Sequence, residues 1–510
     1  MSTRFDLSDD SVVVVIGSGA GGGTVANELA QRGVDVVCLE AGDRLSLADV
    51  VNDPPLMDQR MGWHDERRGA EVWLCKTVGG TTMRWSAVAP RFLDYEFRAR
   101  TTYGAIEDTT LIDWPLTLRE LEPYYDRAEA KMGVSGTSGL PPSAPNNNFR
   151  VLAAGARRVG YRQITSARMA INPVPYDDRP GCLQIGYCNH GCVIGAKWST
   201  LYTEIPRAER TGHFELRTRA MAVRINHNAA GRVTGVVYSD ATGALQEQRA
   251  HAVCVAGNVV ETTRLLLLSE SAQFPHGLAN SSGHLGRNYM RHMAQAVAAT
   301  MPGPVHLHRG TTQVGHVGDE HRHDADRGFA GGYLLETAGQ IPSWYSYFAG
   351  WGEQAGRWME GFSHGAAVFL CGEDPPQASN RITLHPTDKD ERGLPVPILE
   401  YRQHQNTVAM KRHAAARARA IYESLGATDI RDDLDKPEGG CHNMGVARMS
   451  ANPRDGVTNR WGQAHDVPNL FVSDGSVFST SGAPNPTLTI VALAIRQAEH
   501  IATRISRREL

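Results

Sequence analysis
The chain has 510 residues, of which 41% are hydrophobic and 21% charged, with a formal charge of -3. Such a balance excludes a disordered chain and gives no electrostatic reason to bind nucleic acid, so small-molecule chemistry is the default expectation. The longest apolar runs, from Val12 and from Leu265, fall far short of the roughly 20 residues of a membrane helix.

The N-terminal MSTRFDLSDDS has neither a basic segment nor an apolar h-region, which predicts a cytoplasmic protein without a targeting peptide. Residues 12–40 then read as strand, glycine turn, helix, strand: VVVVIG, SGAGGG, TVANELAQRG, VDVVCLEAG. Continuous apolar strands suit a parallel sheet covered on both faces. Gly17, Gly19 and Gly22 match G-x-G-x-x-G between the first strand and the helix, and Glu40 closes the next strand. The first glycine makes the tight turn, the second admits a pyrophosphate, and the third lets helix pack on strand. The helix N-terminus offers N–H groups to phosphate, and Glu40 can accept from a ribose. The fingerprint does not separate NAD from FAD, although its N-terminal position favours FAD.

Cysteines stand at 38, 75, 182, 188, 192, 254, 371 and 441, too sparse for a disulfide framework. Cys182, Cys188, His190 and Cys192 cluster, but their spacing fits neither zinc nor iron–sulfur sites well. A second strand–helix unit, HAVCVAG followed by VVETTRLLLLS, begins at His251 and is predicted to share the first sheet. The segment from Gly303 to Trp358 holds Tyr333, Trp344, Tyr345, Tyr347 and Trp351, each as suited to facing a sugar ring as to filling a core. KRHAAARARA from Lys411 reads as a helix with a solvated charged face. GGCHNMGVARMS, from Gly439, sets an imidazole among sulfur and small residues, which leaves open a metal ligand or a catalytic base.

Several separated stretches together resemble the glucose-methanol-choline (GMC) family of flavin oxidoreductases, particularly its bacterial pyranose oxidase and glycoside 3-oxidase-like branch. They are VIGSGAGGGTVANELAQRG with LEAG, TVGGTTMRWSAVAPRF, DWPLTLRELEPYYDRAEAKMGVSG, YCNHGCVIGAKWSTL, VAGNVVETTRLLLLS, GRNYMRHM and the chain from Gly439 to Ile501. The resemblance implies an α/β fold of two lobes. Residues 1–95, 186–292 and 440–510 would form a discontinuous Rossmann-like FAD domain. Residues 96–185 and 293–439 would form a substrate domain, an antiparallel sheet backed by helices.

The family pattern places the proton-accepting histidine at His442 and its partner at Asn485. It also implies cofactor contacts at Gly79, Gly80, Thr81 and Ser86, at Ala222, Ala256 and Gly257, at Asp474 and Gly475, and at Asn485, Pro486 and Thr487, beside Gly17, Gly19, Ala20, Gly22 and Glu40. Arg84 stands where some relatives carry an FAD-linked histidine, so the FAD is expected to be non-covalent. CNHGCVIGAK matches the family's metal-free corner, and no metal is expected. The activity implied is oxidation of a secondary ring hydroxyl of a sugar or glycoside, at C2 or C3. Hydride would pass to flavin N5, with O2 or another acceptor reoxidising the flavin and with no nucleic-acid or membrane partner. The alternative is the flavin subunit of a sugar or polyol dehydrogenase complex passing electrons to a quinone or cytochrome.

Overall fold
A computed structural model describes residues 4–62, 68–339, 342–436 and 440–510; Gly439, the first residue of GGCHNMG, lies outside them. The valine-rich strand Val13–Ile16 is buried along its whole length. It pairs in parallel with Val36–Leu39 on one side and with Ala252–Val255 on the other. Val13 therefore faces both Val36 and Ala252 in register. The two strand–helix units do share one sheet, as their apolar strands predict. Leu470–Val472 and Phe214–Arg217 complete five parallel strands, the order running 470s, 252–255, 13–16, 36–39, 214–217.

Helix Ala20–Ala30 covers one face of this sheet and packs against the C-terminal helix Thr487–Ser506. Side chains on both faces, Val14 and Val37 on one and Val13, Val15 and Val36 on the other, enter separate apolar clusters. Double burial is what a parallel sheet needs, because neither face can be left to water.

A second sheet has six strands, in the order 429–432, 293–300, 365–372, 333–337, 315–317, 164–166, and its neighbouring pairs are antiparallel. Tyr333, Leu335, Val368 and Leu370 join a cluster with Met410, Ala414, Ala418 and Ile421 of helix Gln405–Glu423, which backs this face. Glu336 pairs directly with Phe369, so these two project from the opposite face. On the same helix Arg412 is exposed, as a charged face predicts, but Lys411 is buried. Its ammonium donates to Gln403 Oε1 and to the Leu434 carbonyl. No helix among the described residues is long and apolar enough to cross a membrane.

Candidate active site
A cavity of about 1360 Å³ opens between the parallel sheet and the antiparallel one, larger than the roughly 300–1,000 Å³ of common ligand pockets. Its dinucleotide end is built from backbone. Gly17 leaves the first strand at φ +93°, and a Cβ there would stand 2.3 Å from the Ala256 carbonyl oxygen. A Cβ on Gly21 would fall 1.5 Å from the Ser473 carbonyl oxygen, and one on Gly22 2.0 Å from that of Gly17. Close packing thus needs both Gly21 and Gly22, not the third motif glycine alone. Gly19 differs: a Cβ there would meet only the Gly80 Cα, at an ordinary contact distance of 3.9 Å. The helix begins there with no side-chain cap, leaving first-turn amides for an anion.

Glu40 lines the same end. Its Oε2 accepts from the Ser18 amide at 3.0 Å and hydroxyl at 2.6 Å, and Oε1 accepts from the Gly42 amide at 3.0 Å. Burial pushes its carboxyl above the usual range, against these bonds. The Ala41 amide also favours its ionised form, so these donors take up the roughly four acceptor sites of a carboxylate and brace the glycine loop. Asp474 is held likewise by Thr262 Oγ1 at 2.6 Å and the Ser476 amide at 2.8 Å.

Most sequence-predicted contacts reach this cavity: Gly17, Gly19, Ala20, Glu40, Gly80, Thr81, Ser86, Ala222, Ala256, Gly257, Asp474, Gly475, Pro486 and Thr487, together with His442 and Asn485. Gly22 and Gly79 do not line it. Gly79 instead takes φ +95° and donates its N–H to Ser18 Oγ at 3.0 Å, making it a turn beneath the lining. Among the five aromatic candidates only Trp344 and Tyr347 reach the cavity. Tyr333 is buried against helix Gln405–Glu423 with its hydroxyl on His413. Tyr345 stacks on Trp358 at 4.6 Å, and Trp351 is 92% exposed. Period alone does not tell which side of a sheet or helix such rings take.

Arg84 pairs with Asp58. At the cysteine cluster the Lys197 ammonium, fully buried, donates to the carbonyls of Met83 at 3.0 Å, Trp85 at 2.9 Å and Cys188 at 2.5 Å. Burial lowers its pKa to about 8. The cluster is thus a corner bound to the cavity loop at Trp85 by a buried cation. Among the described residues Cys182, Cys188, His190 and Cys192 do not converge as a ligand set; the group that does is His292, Cys371 and His442.

His442 lies between two backbone bridges, Gly440 to Val72 and Met444 to Met290. Its neighbour Asn443 accepts from the Tyr289 hydroxyl at 2.6 Å, which pins the loop. Asn485 comes from a second loop, fixed by the Ala483 amide donating to Glu96 Oε1 at 2.7 Å. The two meet: Asn485 Nδ2 lies 3.4 Å from His442 Nε2. Asn485 is 5% exposed, and its Oδ1 has no hydrogen-bond partner among the described residues. An unsatisfied buried carbonyl beside a cavity is an acceptor waiting for a donor. Behind the pair stands Glu336, whose Oε2 accepts from Gln313 Nε2 at 3.0 Å. Burial pushes its carboxyl up to about 8, opposed by the Asn485 side chain. Burial, with a smaller contribution from the neighbouring His292 ring, drives His442 well below the usual histidine value.

The residues present fit an FAD: a glycine turn whose close packing on the Ala256 carbonyl admits no Cβ at Gly17, an uncapped helix end, and a cavity long enough to continue to a buried His–Asn pair. That arrangement defines an FAD-dependent oxidoreductase.

The family models for GMC oxidoreductase match residues 114–294 and 376–494, and one for an NAD(P)-binding Rossmann-like domain matches residues 15–53. The chain is 34% identical to 2-methyl-1,2-propanediol dehydrogenase of Mycolicibacterium austroafricanum, over 99% of this chain and 97% of that protein. It is 28% identical to the fructose dehydrogenase large subunit of Gluconobacter japonicus, covering 96% and 97%. With paromamine 6'-oxidase of Streptomyces fradiae it shares 29%, covering 98% and 93%. Its fold is similar to the crystal structure of pyridoxine 4-oxidase from Mesorbium loti, with a TM-score of 0.69 at 16% identity over 96% and 99% of the two chains. The chain belongs to the GMC oxidoreductase family.

Proposed function
We propose that this enzyme oxidises a hydroxyl of a sugar or glycoside to a carbonyl, with a secondary ring hydroxyl at C2 or C3 as the preferred position. The observation that carries the reading is the His442–Asn485 pair at a cavity wall. Names among the relatives, fructose dehydrogenase and paromamine 6'-oxidase, support the substrate class. Trp344 and Tyr347 offer flat apolar faces at the cavity, suited to a sugar ring.

Bound FAD supplies the two-electron hydride acceptor. The chain supplies the proton chemistry and the orientation. His442 is neutral because it is desolvated, so a ring nitrogen is free to take the hydroxyl proton as the C=O forms. The same desolvation limits its proton affinity. Asn485 would offset this by turning its amide from His442 Nε2 towards the substrate oxygen, where Nδ2 would donate as negative charge grows, an oxyanion-type contact. Gly17, Gly19, Gly80, Thr81, Ala256 and Gly257 would hold the cofactor largely through backbone. The FAD is held without a covalent bond, and acid precipitation then releases all yellow colour into the supernatant. The discontinuous FAD domain of 1–95, 186–292 and 440–510, and the substrate domain between its pieces, describe the division of labour across the cavity.

A second reading, a flavin-bearing subunit that passes electrons to a quinone or cytochrome, is favoured by the likeness to a fructose dehydrogenase large subunit. One experiment addresses both. Purified yellow protein is mixed anaerobically with a panel of sugars, glycosides and small diols, and air is then readmitted. Bleaching by sugars or glycosides supports the proposal, and bleaching by small diols alone removes it. Rapid recolouring in air identifies an oxidase, whereas slow recolouring that a quinone accelerates supports the second reading.

A further inference from the structure
His292 lies directly before the strand Met293–Thr300 and is 1% exposed. It does not line the cavity, yet it touches the residue that faces the substrate. Its Nδ1 is 2.9 Å from His442 Nδ1 and 3.2 Å from Cys371 Sγ, and its Nε2 is 3.3 Å from the Ser481 carbonyl oxygen.

These contacts assign the protons by elimination. A carbonyl oxygen only accepts, so His292 Nε2 carries a hydrogen and donates to Ser481. Burial lowers the His292 pKa to about 4, so the ring is neutral at pH 7 and has a single N–H. Its Nδ1 is therefore a bare acceptor. Two such nitrogens 2.9 Å apart form a hydrogen bond only if one bears a proton, which must then be His442 Nδ1–H. His442 is neutral too. Its Nε2 is consequently unprotonated, and this is the atom that Asn485 Nδ2 approaches at 3.4 Å. Cys371 does not disturb the order, because its thiol has the Ala483 carbonyl oxygen at 3.4 Å as an alternative acceptor.

We propose that His292 is a positioning residue that holds His442 in the Nδ1–H tautomer, so that the Nε2 lone pair faces the substrate hydroxyl. The inference rests on His442 being the base. Its logic is general: the hydrogen bond made by one ring nitrogen decides what the other can do. His292 does this with a neutral acceptor anchored to backbone, and no carboxylate is required. The three residues are also near enough to share a soft metal ion. Two zinc–nitrogen bonds of about 2.0–2.1 Å at a tetrahedral angle would separate the nitrogens by about 3.3 Å. The separation of 2.9 Å fits N–H···N instead.

The test uses the holoenzyme with histidines labelled by nitrogen-15, reading tautomers from long-range proton–nitrogen spectra and assigning His442 by the signals lost in H442N. In the wild type we expect a proton on Nδ1 and none on Nε2. H292L should move protonation towards Nε2 and slow flavin reduction about tenfold or more with FAD content retained, the penalty of a wrongly set tautomer. H292N keeps an amide oxygen near the Nδ1 position and should recover most of that loss. A proton on His442 Nε2 in the wild type overturns the inference without any variant. Stoichiometric zinc or copper in the holoenzyme, or an H292L variant with both spectrum and rate unchanged, overturns it as well. Full-rate flavin reduction in an H442A variant would instead overturn the functional reading, leaving no base to position.

Discussion

Asn485 Nδ2 stands 3.4 Å from His442 Nε2, although 43 positions separate the two residues in sequence and each sits on its own loop. The pair is held from behind by different groups, Glu96 under the Asn485 loop and His292 beside His442. Asn485→Ala should therefore leave the His442 loop in place and, on the proposed mechanism, remove one donor to the substrate oxygen. Loss of a single oxyanion-type donor lowers rates by about a hundredfold to a thousandfold. The check is the limiting rate of flavin reduction under anaerobic rapid mixing, with the visible spectrum confirming retained FAD.

On the proposal that His442 is the base, its depressed pKa sets the acid limb of the reaction. A base works unprotonated, and burial drives this one well below 6.5. The rate of flavin reduction should then stay flat from neutral pH through 6.5 and fall only further into the acid range. A limb centred at or above 6.5 would assign the titration to another group.

Glu336 gives a stability signature. Its folded pKa is raised from 4.5 to about 8 by burial, so the folded state holds a proton that the unfolded state releases between those values. The stabilisation is fully present below 4.5 and is lost as pH rises through about 8, a span on the order of a few kcal/mol. Glu336→Gln, neutral at every pH, should flatten the fall in melting temperature across that window. Parallel pH profiles for the two proteins would contradict the assignment.

Two glycines of the fingerprint should fail in different ways. Gly17 has φ +93° and would bring a Cβ 2.3 Å from the Ala256 carbonyl oxygen, so Gly17→Ala should destabilise the fold by about 1–3 kcal/mol or more. A Cβ on Gly19 meets nothing closer than 3.9 Å and would protrude towards the cofactor. Gly19→Ala should keep the apoprotein's melting temperature while lowering FAD affinity, measured by titrating deflavinated protein.

How far the sequence was readable follows from how local each cause is. The turn at Gly17 and the helix from Ala20 depend on neighbours a few residues away, and the strand pattern of Val13–Ile16 predicted a buried parallel strand that the register with Ala252 provides. The expectation at His442 and Asn485 came from the family pattern, not from their own composition, and the structure brings the two side chains together. His292, Cys371 and Glu336 escaped notice because each is one residue in an antiparallel strand or at its start, and only the register decides which side it faces. The packing glycine Gly21 was missed since the constraint on it, the Ser473 carbonyl, comes from the far end of the chain. Aromaticity left Tyr345 and Tyr333 as suited to a sugar ring as to the core, and Trp358 and His413 decide it for the interior.

The most direct measurement is anaerobic stopped-flow reduction of the bound flavin by sugars and glycosides, comparing the wild type with His442→Ala. The account predicts rapid bleaching of the wild type by at least one sugar or glycoside, and a rate lower by about a hundredfold or more in the variant with FAD still bound. Equal reduction rates in the two proteins, or a wild type that no sugar or glycoside bleaches, would contradict it.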